Sequence, residues 1–325
     1  MLVNLHSHLE GRIRPATALE LATALGLPEP PGGWAGALEV AEPGTLTAYL
    51  DKVGASYPFL ADREMLTRVA REAVEDSAAD GQDYLELRFG PSTHVRPGFD
   101  VDDVVDAACE GVAQGVAATG MPAGLVLAAL RSHSDERNLA VARAAARRAG
   151  DGIVGFDLAG DELRFPAVDR YVPAFGIARA AGLGLTCHAA EAAPAAAALE
   201  AMDLLGVTRI GHGTRAATDP HVLAELAARG VVVEVCPTSN VLTGACASLA
   251  DHPLPRFEAA GVGVVLGDDN PRQTRSTLSA ERVIAAELLG SDEGALAALD
   301  RRAVGCAFLT DSERARLSAG LPASP

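Results

Sequence analysis

The chain has 325 residues, 49% hydrophobic and 22% charged, a balance that supports a sizeable core in one large barrel or in two ordinary domains. Its 27 basic and 43 acidic side chains give a formal net charge of −16, which repels phosphate backbones and anionic lipid surfaces. No apolar run is long enough to span a bilayer, so these properties exclude membrane-spanning and disordered classes and argue against a nucleic-acid partner.

The five cysteines do not form a recognisable framework. They are odd in number and include no Cys-x-x-Cys pair, which argues against disulfide bonds and against a thiolate zinc site. Residues 1–4 lack the basic region and apolar stretch of a signal peptide. We therefore predict a cytoplasmic protein with reduced, buried cysteines, and no pattern in the sequence predicts an oligomeric state.

Eight short apolar runs alternate with stretches of helical spacing, which is the pattern of a parallel α/β sheet. The runs cover residues 2–6, 84–89, 125–130, 153–158, 183–188, 209–212, 231–236 and 262–268. The clearest helical stretches are residues 101–119, 135–148, 194–205 and 219–229, the last opening on Asp219 as a cap and Pro220 in the first turn. Eight strand–helix units predict a (β/α)8 TIM-type barrel.

The connection after the first strand is unusually long. Residues 15–80 exceed one crossover and contain a Pro/Gly cluster at residues 28–33. We predict an inserted helical segment beside the barrel entrance, where such segments often act as lids. No linker separates a second domain, so residues 1–325 are predicted to form a single barrel domain.

Polar residues end four of the predicted strands, and active sites of such barrels lie at the carboxyl ends of the strands. These residues are His6 and His8 after the first run, His188 and Glu191 after the fifth, His212 after the sixth, and Asp268, Asp269 and Asn270 after the eighth. A His-x-His pair on a strand points both rings to one side, although alone it more often marks surface or packing histidines. With two further strand-end histidines and an aspartate, it predicts a zinc site that leaves one position open for water.

Other zinc patterns are absent from the sequence, including a His-Glu-x-x-His helix and the His-x-Glu with Pro-Cys-x-x-Cys of cytidine-type deaminases. Six segments instead resemble the adenosine deaminase family of metal-dependent amidohydrolases, in family order and over nearly the whole chain. They are NLHSHLEG at 4–11, GFDLAGDE at 155–162, HAAE at 188–191, RIGHG at 209–213, EVCPTSN at 234–240 and DDNP at 268–271.

This resemblance implies a site and a reaction. The implied ligands of one divalent metal ion, normally Zn²⁺, are His6, His8, His188 and Asp269. The implied substrate contacts are His8, Glu10, Gly160, whose backbone lies against purine N3, and Asn270. His212 would orient or deprotonate the metal-bound water, and Glu191 would give a proton to purine N1 while C6 is attacked. The implied activity is hydrolytic deamination of a 6-aminopurine nucleoside, adenosine by default. The only lysine, Lys52, lies in the inserted segment, which argues against a carbamylated lysine bridging two metals.

Three positions depart from the nucleoside-specific pattern of this family. Glu10 stands where an aspartate usually meets the ribose 5′-hydroxyl, and it resembles the branch that acts on free adenine or altered nucleosides. Asn270 stands where an aspartate usually faces purine N7, and its amide can donate the hydrogen bond there. Ala190 replaces a glycine before Glu191, and its methyl group is expected to crowd the purine or tilt the acid.

Arg12, Arg272 and Arg275 stand where the family tends to have small or apolar residues. Either arginine simply replaces lysine throughout this chain, or the three bind an anionic group beyond the sugar, such as the benzoate of aminodeoxyfutalosine. The alternative functions are therefore deamination of free adenine, deamination of an anionic adenine nucleoside, or purine binding by a protein that has lost catalysis.

Four further polar residues are expected to have other roles. We expect His94, His221 and His252 at the surface. Glu234 interrupts an apolar strand, which is costly unless the carboxylate is paired, so we predict a structural hydrogen bond for it.

Overall fold

The computed structural model describes residues 1–291 and 293–321, and eight parallel strands form its centre. The strands are β1 (Val3–His8), β2 (Tyr84–Phe89), β3 (Ala123–Leu130), β4 (Ile153–Ala159), β5 (Gly184–Ala189), β6 (Arg209–His212), β7 (Val232–Val235) and β8 (Gly263–Leu266). Each strand pairs in parallel with the next, and a parallel bridge between Ser7 and Asp269 brings the two ends of the sheet together. The predicted (β/α)8 TIM-type barrel is confirmed.

All eight predicted runs contain strands; β2 and β6 have the predicted bounds, and the others differ by one or two residues at one or both ends. β1 continues to His8, because its backbone pairs with the chain beyond β8: the His8 amide donates to the Asp269 carbonyl at 2.7 Å. β8 ends at Leu266 rather than at residue 268, and the chain then turns through Asp269 at φ 56°.

The helices of the described chain surround this barrel. The α-helices are α1 (Pro15–Ala24), α2 (Gly33–Ala37), α3 (Leu46–Gly54), α4 (Arg63–Ala79), α5 (Val101–Thr119), α6 (Asp135–Arg147), α7 (Val172–Ala180), α8 (Ala196–Glu200), α9 (Pro220–Ala228), α10 (Pro237–Leu242), α11 (Leu254–Ala259), α12 (Pro271–Thr274), α13 (Leu278–Leu288), α14 (Glu293–Cys306) and α15 (Asp311–Ala319). Single 3₁₀ turns occupy Leu9–Gly11, Tyr57–Leu60, Pro91–Thr93, Asp169–Tyr171, Thr214–Thr218 and Leu249–Asp251. None of the described helices is long and apolar enough to cross a membrane.

The predicted helices form, and their caps show why. α5 has the predicted bounds, because Asp100 and Asp103 make a capping box at its start. The Asp219 side chain accepts from the His221 amide at the start of α9, with Pro220 in the first turn. The stretch predicted at residues 194–205 divides into α8 and a π-helical turn at Ala201–Leu205, a distinction that apolar spacing does not carry.

The long connection between β1 and β2 contains α1 to α4. α3 lies over the carboxyl end of the barrel, where Leu46, Thr47 and Tyr49 face the central cavity. That this segment acts as a lid stays a prediction. The five cysteines are free, with three buried and two half-buried.

Candidate active site

A cavity of about 230 Å³ opens at the carboxyl end of the barrel. Its lining includes eight of the predicted site residues: His8, Glu10, Gly160, His188, Glu191, His212, Asp269 and Asn270. The remaining one, His6, is fully buried beside them. Strand ends that are far apart in sequence thus bring the predicted site residues to one place.

The donor atoms of the four predicted ligands lie within two overlapping groups of possible metal ligands: His6, His8 and Asp269, and His6, His188 and His212. Nε2 of His8 lies 3.3 Å from Nε2 of His6 and 3.2 Å from Nε2 of His188. Oδ1 of Asp269 lies 3.3 Å from Nε2 of His8 and 3.7 Å from Nε2 of His6. Ligands of a tetrahedral zinc ion, with bonds of about 2.0–2.2 Å, lie roughly 3.4 Å from one another. The distances of His8 from His6, His188 and Asp269 are therefore compatible with ligands of one such ion.

The protonation of His6, His8 and Asp269 suits a cation. At His188, burial is outweighed by Asp157, which raises the pKa of that ring, so a metal would have to displace a proton there. Burial lowers the pKa of His6 well below its ordinary 6.5 and lowers the pKa of His8 to about 4, so both rings present neutral lone pairs. Burial opposes the charge on Asp269, but His8 and His212 hold the pKa of that carboxyl at about 2. A carboxylate and neutral imidazoles are the ligand forms that a divalent metal requires.

Two buried carboxylates contact His6 and His188 at Nδ1, the ring nitrogen that does not face the other candidate ligands. Oε2 of Glu234 lies 2.8 Å from Nδ1 of His6, and Oδ2 of Asp157 lies 3.0 Å from Nδ1 of His188. The Arg88 guanidinium bridges the two carboxylates, at 2.9 Å from Glu234 and 3.1 Å from Asp157. Partners of this kind fix the tautomer and direction of a metal-binding imidazole. The structural pairing predicted for Glu234 is confirmed.

Arg209 extends this charge network toward the opposite end of the barrel. Its Nε lies 2.7 Å from Glu234, and its NH2 group lies 2.5 Å from Glu86. The guanidinium stacks over the Phe308 ring at 3.6 Å and donates to the Cys306 carbonyl at 3.1 Å. The segment after α14 is thereby joined to the carboxylate that holds His6.

Several site residues are held in strained backbone conformations. Ala190, His212 and Asp269 have φ of 55°, 61° and 56°, a left-handed region that costs L-residues about 1–2 kcal/mol each. Such outliers cluster at functional sites. Gly160 has φ 109°, and a Cβ there would make only ordinary contact with Arg131 at 3.4 Å. The backbone conformation favours glycine here, and the contact of the Gly160 backbone with purine N3 stays a prediction.

Glu191 is the buried acid of the cavity. Burial raises the pKa of its carboxyl above the usual 4.5, which favours the protonated form. The Thr243 hydroxyl donates to its Oε1 at 2.8 Å, and its Oε2 lies 3.9 Å from Nε2 of His212. Glu162 fixes the turn that carries Glu191 by accepting from the amides of Ala190 at 2.9 Å and Ala193 at 2.8 Å.

Glu10 is held as a fixed, ionised acceptor at the cavity wall. Its Oε1 accepts from the Gly90 amide at 3.0 Å and lies 3.5 Å from Nε2 of His94. Burial opposes the charge, but His94 and Gly90 outweigh it and lower the pKa of Glu10. His94 is fully buried and His252 is 3% exposed, so their predicted surface positions are wrong; His221 is exposed as predicted.

Two further expectations, for Asn270 and Ala190, concern contacts with the purine. Asn270 donates from Nδ2 to Oδ1 of Asp269 at 2.8 Å, and its own Oδ1 has no partner among the described residues. One amide hydrogen and one acceptor thus stay available, and donation to purine N7 remains a prediction. Ala190 is buried outside the cavity lining, and whether its methyl group crowds the purine or tilts Glu191 stays a prediction.

The three arginines near the motifs lie outside the cavity lining. Arg12 is buried and forms a 2.7 Å ion pair with Asp268. Arg272 pairs with Glu39, and the exposed Arg275 lies 3.8 Å from the same carboxylate. Acids of the chain lie beside all three, which agrees with arginine in the place of lysine; whether they bind an anionic group stays open.

Sequence reasoning missed several supporting residues. Asp269 accepts at Oδ2 from the Ser239 hydroxyl at 2.5 Å and from the Tyr49 hydroxyl at 3.1 Å. Ser239 follows β7 within the quoted segment 234–240, a position that could have signalled it. Tyr49 belongs to α3 of the inserted segment, and no local pattern indicates that this helix reaches the site.

Comparisons with known proteins agree with this architecture. The family model for adenosine deaminase matches residues 2–323. The adenosine deaminase of Shewanella loihica is 36% identical over 326 residues, covering 98% of this chain and 97% of that protein. The adenine deaminase of Rhizobium johnstonii is 35% identical over 317 residues, covering 98% and 97%. The crystal structure of adenine deaminase from Arthrobacter aurescens has a TM-score of 0.89 at 28% identity, covering 98% of this chain and 97% of that one. The chain therefore belongs to the adenosine deaminase family, hydrolases that act on carbon–nitrogen bonds of cyclic amidines.

Proposed function

We propose that this protein is a zinc-dependent hydrolase that deaminates a 6-aminopurine, with adenosine as first candidate substrate, to the 6-oxo purine and ammonia. The observation that carries the proposal is a cavity at which two overlapping groups of possible metal ligands, three residues each, lie beside a buried acid. The proposed ligands are His6, His8, His188 and Asp269. The proposal includes a cytoplasmic location, which the five free cysteines support.

The metal, when bound, would supply an acidified water for attack at purine C6. Glu191 is the proposed proton donor to N1, because its raised pKa favours the protonated carboxyl that this step consumes. Glu162 holds the turn that aims Glu191 into the cavity. His212 is proposed to orient the attacking group, since its Nε2 faces the same space 3.9 Å from the acid.

Two features of the cavity are compatible with free adenine as a second candidate substrate. A volume of about 230 Å³ lies below the roughly 300–1,000 Å³ typical of drug-sized ligands, which suits a base or a nucleoside. The fixed carboxylate of Glu10 can accept from the imidazole N–H of free adenine as well as from a sugar hydroxyl. We therefore expect Glu10 to determine how well the protein discriminates between adenine and adenosine.

The charges around the cavity disfavour an anionic nucleoside such as aminodeoxyfutalosine. Five acidic residues line it: Glu10, Asp51, Asp161, Glu191 and Asp269. Among the described lining residues only Arg164 supplies a guanidinium. The alternative of a purine-binding protein without catalysis is also disfavoured, since each group that the reaction needs is present.

The proposal is tested by ammonia release from adenosine, 2′-deoxyadenosine, adenine and aminodeoxyfutalosine, with purified protein of known metal content under identical conditions. We expect release from adenosine or adenine, equal in amount to the 6-oxo purine formed. Chelator-treated protein, reloaded with zinc, is the control for metal dependence. Tight purine binding by metal-loaded protein with no release from any compound would instead identify a protein that has lost catalysis.

A further inference from the structure

A buried chain of polar side chains leads away from the cavity through His212. The amide Nδ2 of Asn240 lies 3.0 Å from Nδ1 of His212, and its Oδ1 lies 3.2 Å from Nε2 of His252. Nδ1 of His252 in turn accepts from the backbone amide of Leu254 at 3.2 Å. Asn240 is fully buried, and His212 and His252 are each 3% exposed, so bulk water does not compete for these contacts.

The backbone amide at the end of this chain sets the direction of every hydrogen bond in it. A peptide N–H can only donate, so Nδ1 of His252 must accept and the proton of the neutral ring must sit on Nε2. Burial lowers the pKa of His252 to about 4, which keeps that ring neutral near pH 7. Nε2–H of His252 then donates to Oδ1 of Asn240, and this contact selects one of the two orientations of the amide.

The selected orientation determines the tautomer of the next ring. With Oδ1 of Asn240 occupied as an acceptor, its Nδ2 faces His212 and donates to Nδ1. Nδ1 of His212 is therefore an acceptor, and a neutral His212 carries its proton on Nε2, the atom that faces Glu191 at 3.9 Å. A protonated Nε2 has no lone pair for a metal, which agrees with a ligand set that leaves His212 out.

We propose that Asn240 and His252 are positioning residues that hold His212 in its Nε2–H tautomer, so that His212 presents a hydrogen-bond donor to the cavity. For the deaminase reaction, on which this last step rests, a neutral His212 then orients the attacking oxygen by donating to it. It does not remove a proton at Nε2, because that position is already occupied. The sequence left two roles open for His212: orienting the metal-bound water or removing its proton. The hydrogen-bonded chain from Leu254 through His252 and Asn240, called the relay below, favours the orienting role.

Nitrogen-15 NMR of zinc-loaded protein labelled in its histidine rings tests the tautomer directly, because protonated and unprotonated ring nitrogens differ strongly in chemical shift. The His212 signals are assigned by their loss in a His212→Gln variant. We expect Nε2–H in the wild type. Asn240→Asp replaces the donor by an acceptor and is expected to move the proton to Nδ1, with kcat reduced roughly 10- to 100-fold and KM within about twofold.

His252→Phe and His252→Gln form a second pair that does not alter a contact of His212. Phenylalanine fills the space without a donor, so Asn240 loses its fixed orientation and a mixture of His212 tautomers is expected. Glutamine offers an amide N–H to Oδ1 of Asn240 and is expected to restore Nε2–H. His221→Phe, which removes an exposed histidine, is the matched control and should change neither tautomer nor kcat.

The outcomes separate this inference from the proposed function. A wild-type His212 protonated on Nδ1, or a tautomer unchanged in both Asn240→Asp and His252→Phe, would overturn the relay. The assigned tautomer in a protein that deaminates no purine would leave the relay standing and overturn the function. If Asn240→Asp does not fold, the His212 tautomers in His252→Phe and His252→Gln still test the relay.

Discussion

At the scale of single residues, the burial of Glu191 is expected to favour the reaction but to lower the stability of the folded protein near neutral pH. Burial raises the pKa of its carboxyl, so folding favours the protonated acid and disfavours the carboxylate. The same burial that prepares a proton donor for neutral pH therefore destabilises the protein where Glu191 is ionised.

Replacing Glu191 by glutamine is expected to separate these effects. Deaminase kcat should fall roughly 10²- to 10⁴-fold, because the amide has no acidic proton to give, while metal content stays unchanged. A raised folded-state pKa gives stability that is present below the unfolded value of 4.5 and is lost as pH rises through the folded value. Thermal unfolding against pH should thus show equal midpoints for the two proteins in acid and a higher midpoint for Glu191→Gln near neutrality. A Glu191→Gln variant with near-wild-type turnover would show that Glu191 is not the proton donor.

Glu10 provides a residue-scale test of substrate choice. Glu10→Asp withdraws the carboxylate by one methylene from the Gly90 amide and from His94, and one methylene is worth roughly 10- to 200-fold in kcat/KM. We expect a loss of this order on the better of adenosine and adenine, and a changed ratio between them, measured by ammonia release. Glu225→Asp, on the outer helix α9, is the control. An unchanged ratio would show that Glu10 does not contact the part of the substrate that differs.

At the scale of elements, Arg88 links three strands of the barrel to the candidate metal centre. It stands on β2 and holds Asp157 on β4 and Glu234 on β7, the carboxylates that orient two histidines. Arg88→Met leaves both carboxylates buried with less counter-charge, which costs about 3–5 kcal/mol of unfolding free energy. Zinc affinity should also fall roughly 10- to 100-fold, because both imidazoles lose a fixed direction.

Chemical denaturation and competition with a chelator measure these two effects of Arg88→Met. Arg88→Lys keeps the positive charge but loses the planar guanidinium that can donate to two carboxylates at once. Its free energy of unfolding and its zinc affinity should both lie between those of the wild type and Arg88→Met. Arg229→Met, which removes a surface pair with Asp203, should leave both stability and zinc affinity nearly unaltered. Unchanged zinc affinity in Arg88→Met would show that the histidines do not depend on this bridge.

Elements also show what the sequence could and could not predict. The strands were predictable because buried parallel strands are short apolar runs, and the helix starts because caps such as Asp219 are local signals. The convergence of His6, His188 and His212 followed from the barrel rule that strand ends share one face. The contact of Tyr49 with Asp269 and the burial of His94 depend on how distant segments pack, and no local spacing encodes that packing.

At the scale of the whole molecule, the candidate ligands join distant parts of the chain. His6 and His8 come from β1, His188 from β5 and Asp269 from the turn after β8, where the two ends of the sheet meet. A metal bound by all four would restrain the barrel at its closure. Binding to the folded chain alone stabilises it by about 4 kcal/mol when free metal exceeds its dissociation constant about 1,000-fold.

Removing the metal is therefore expected to lower the thermal midpoint by on the order of 5 °C or more, without loss of the barrel's secondary structure at 25 °C. Scanning calorimetry of protein as purified, after chelation and after reloading with zinc measures the shift, and circular dichroism checks the fold. A His188→Ala variant should show a much smaller response to chelator and to zinc, because one of four ligands is gone. An equal zinc response in that variant would mean that the stabilising ion binds elsewhere on this strongly acidic molecule, whose net charge of −16 attracts cations over its whole surface.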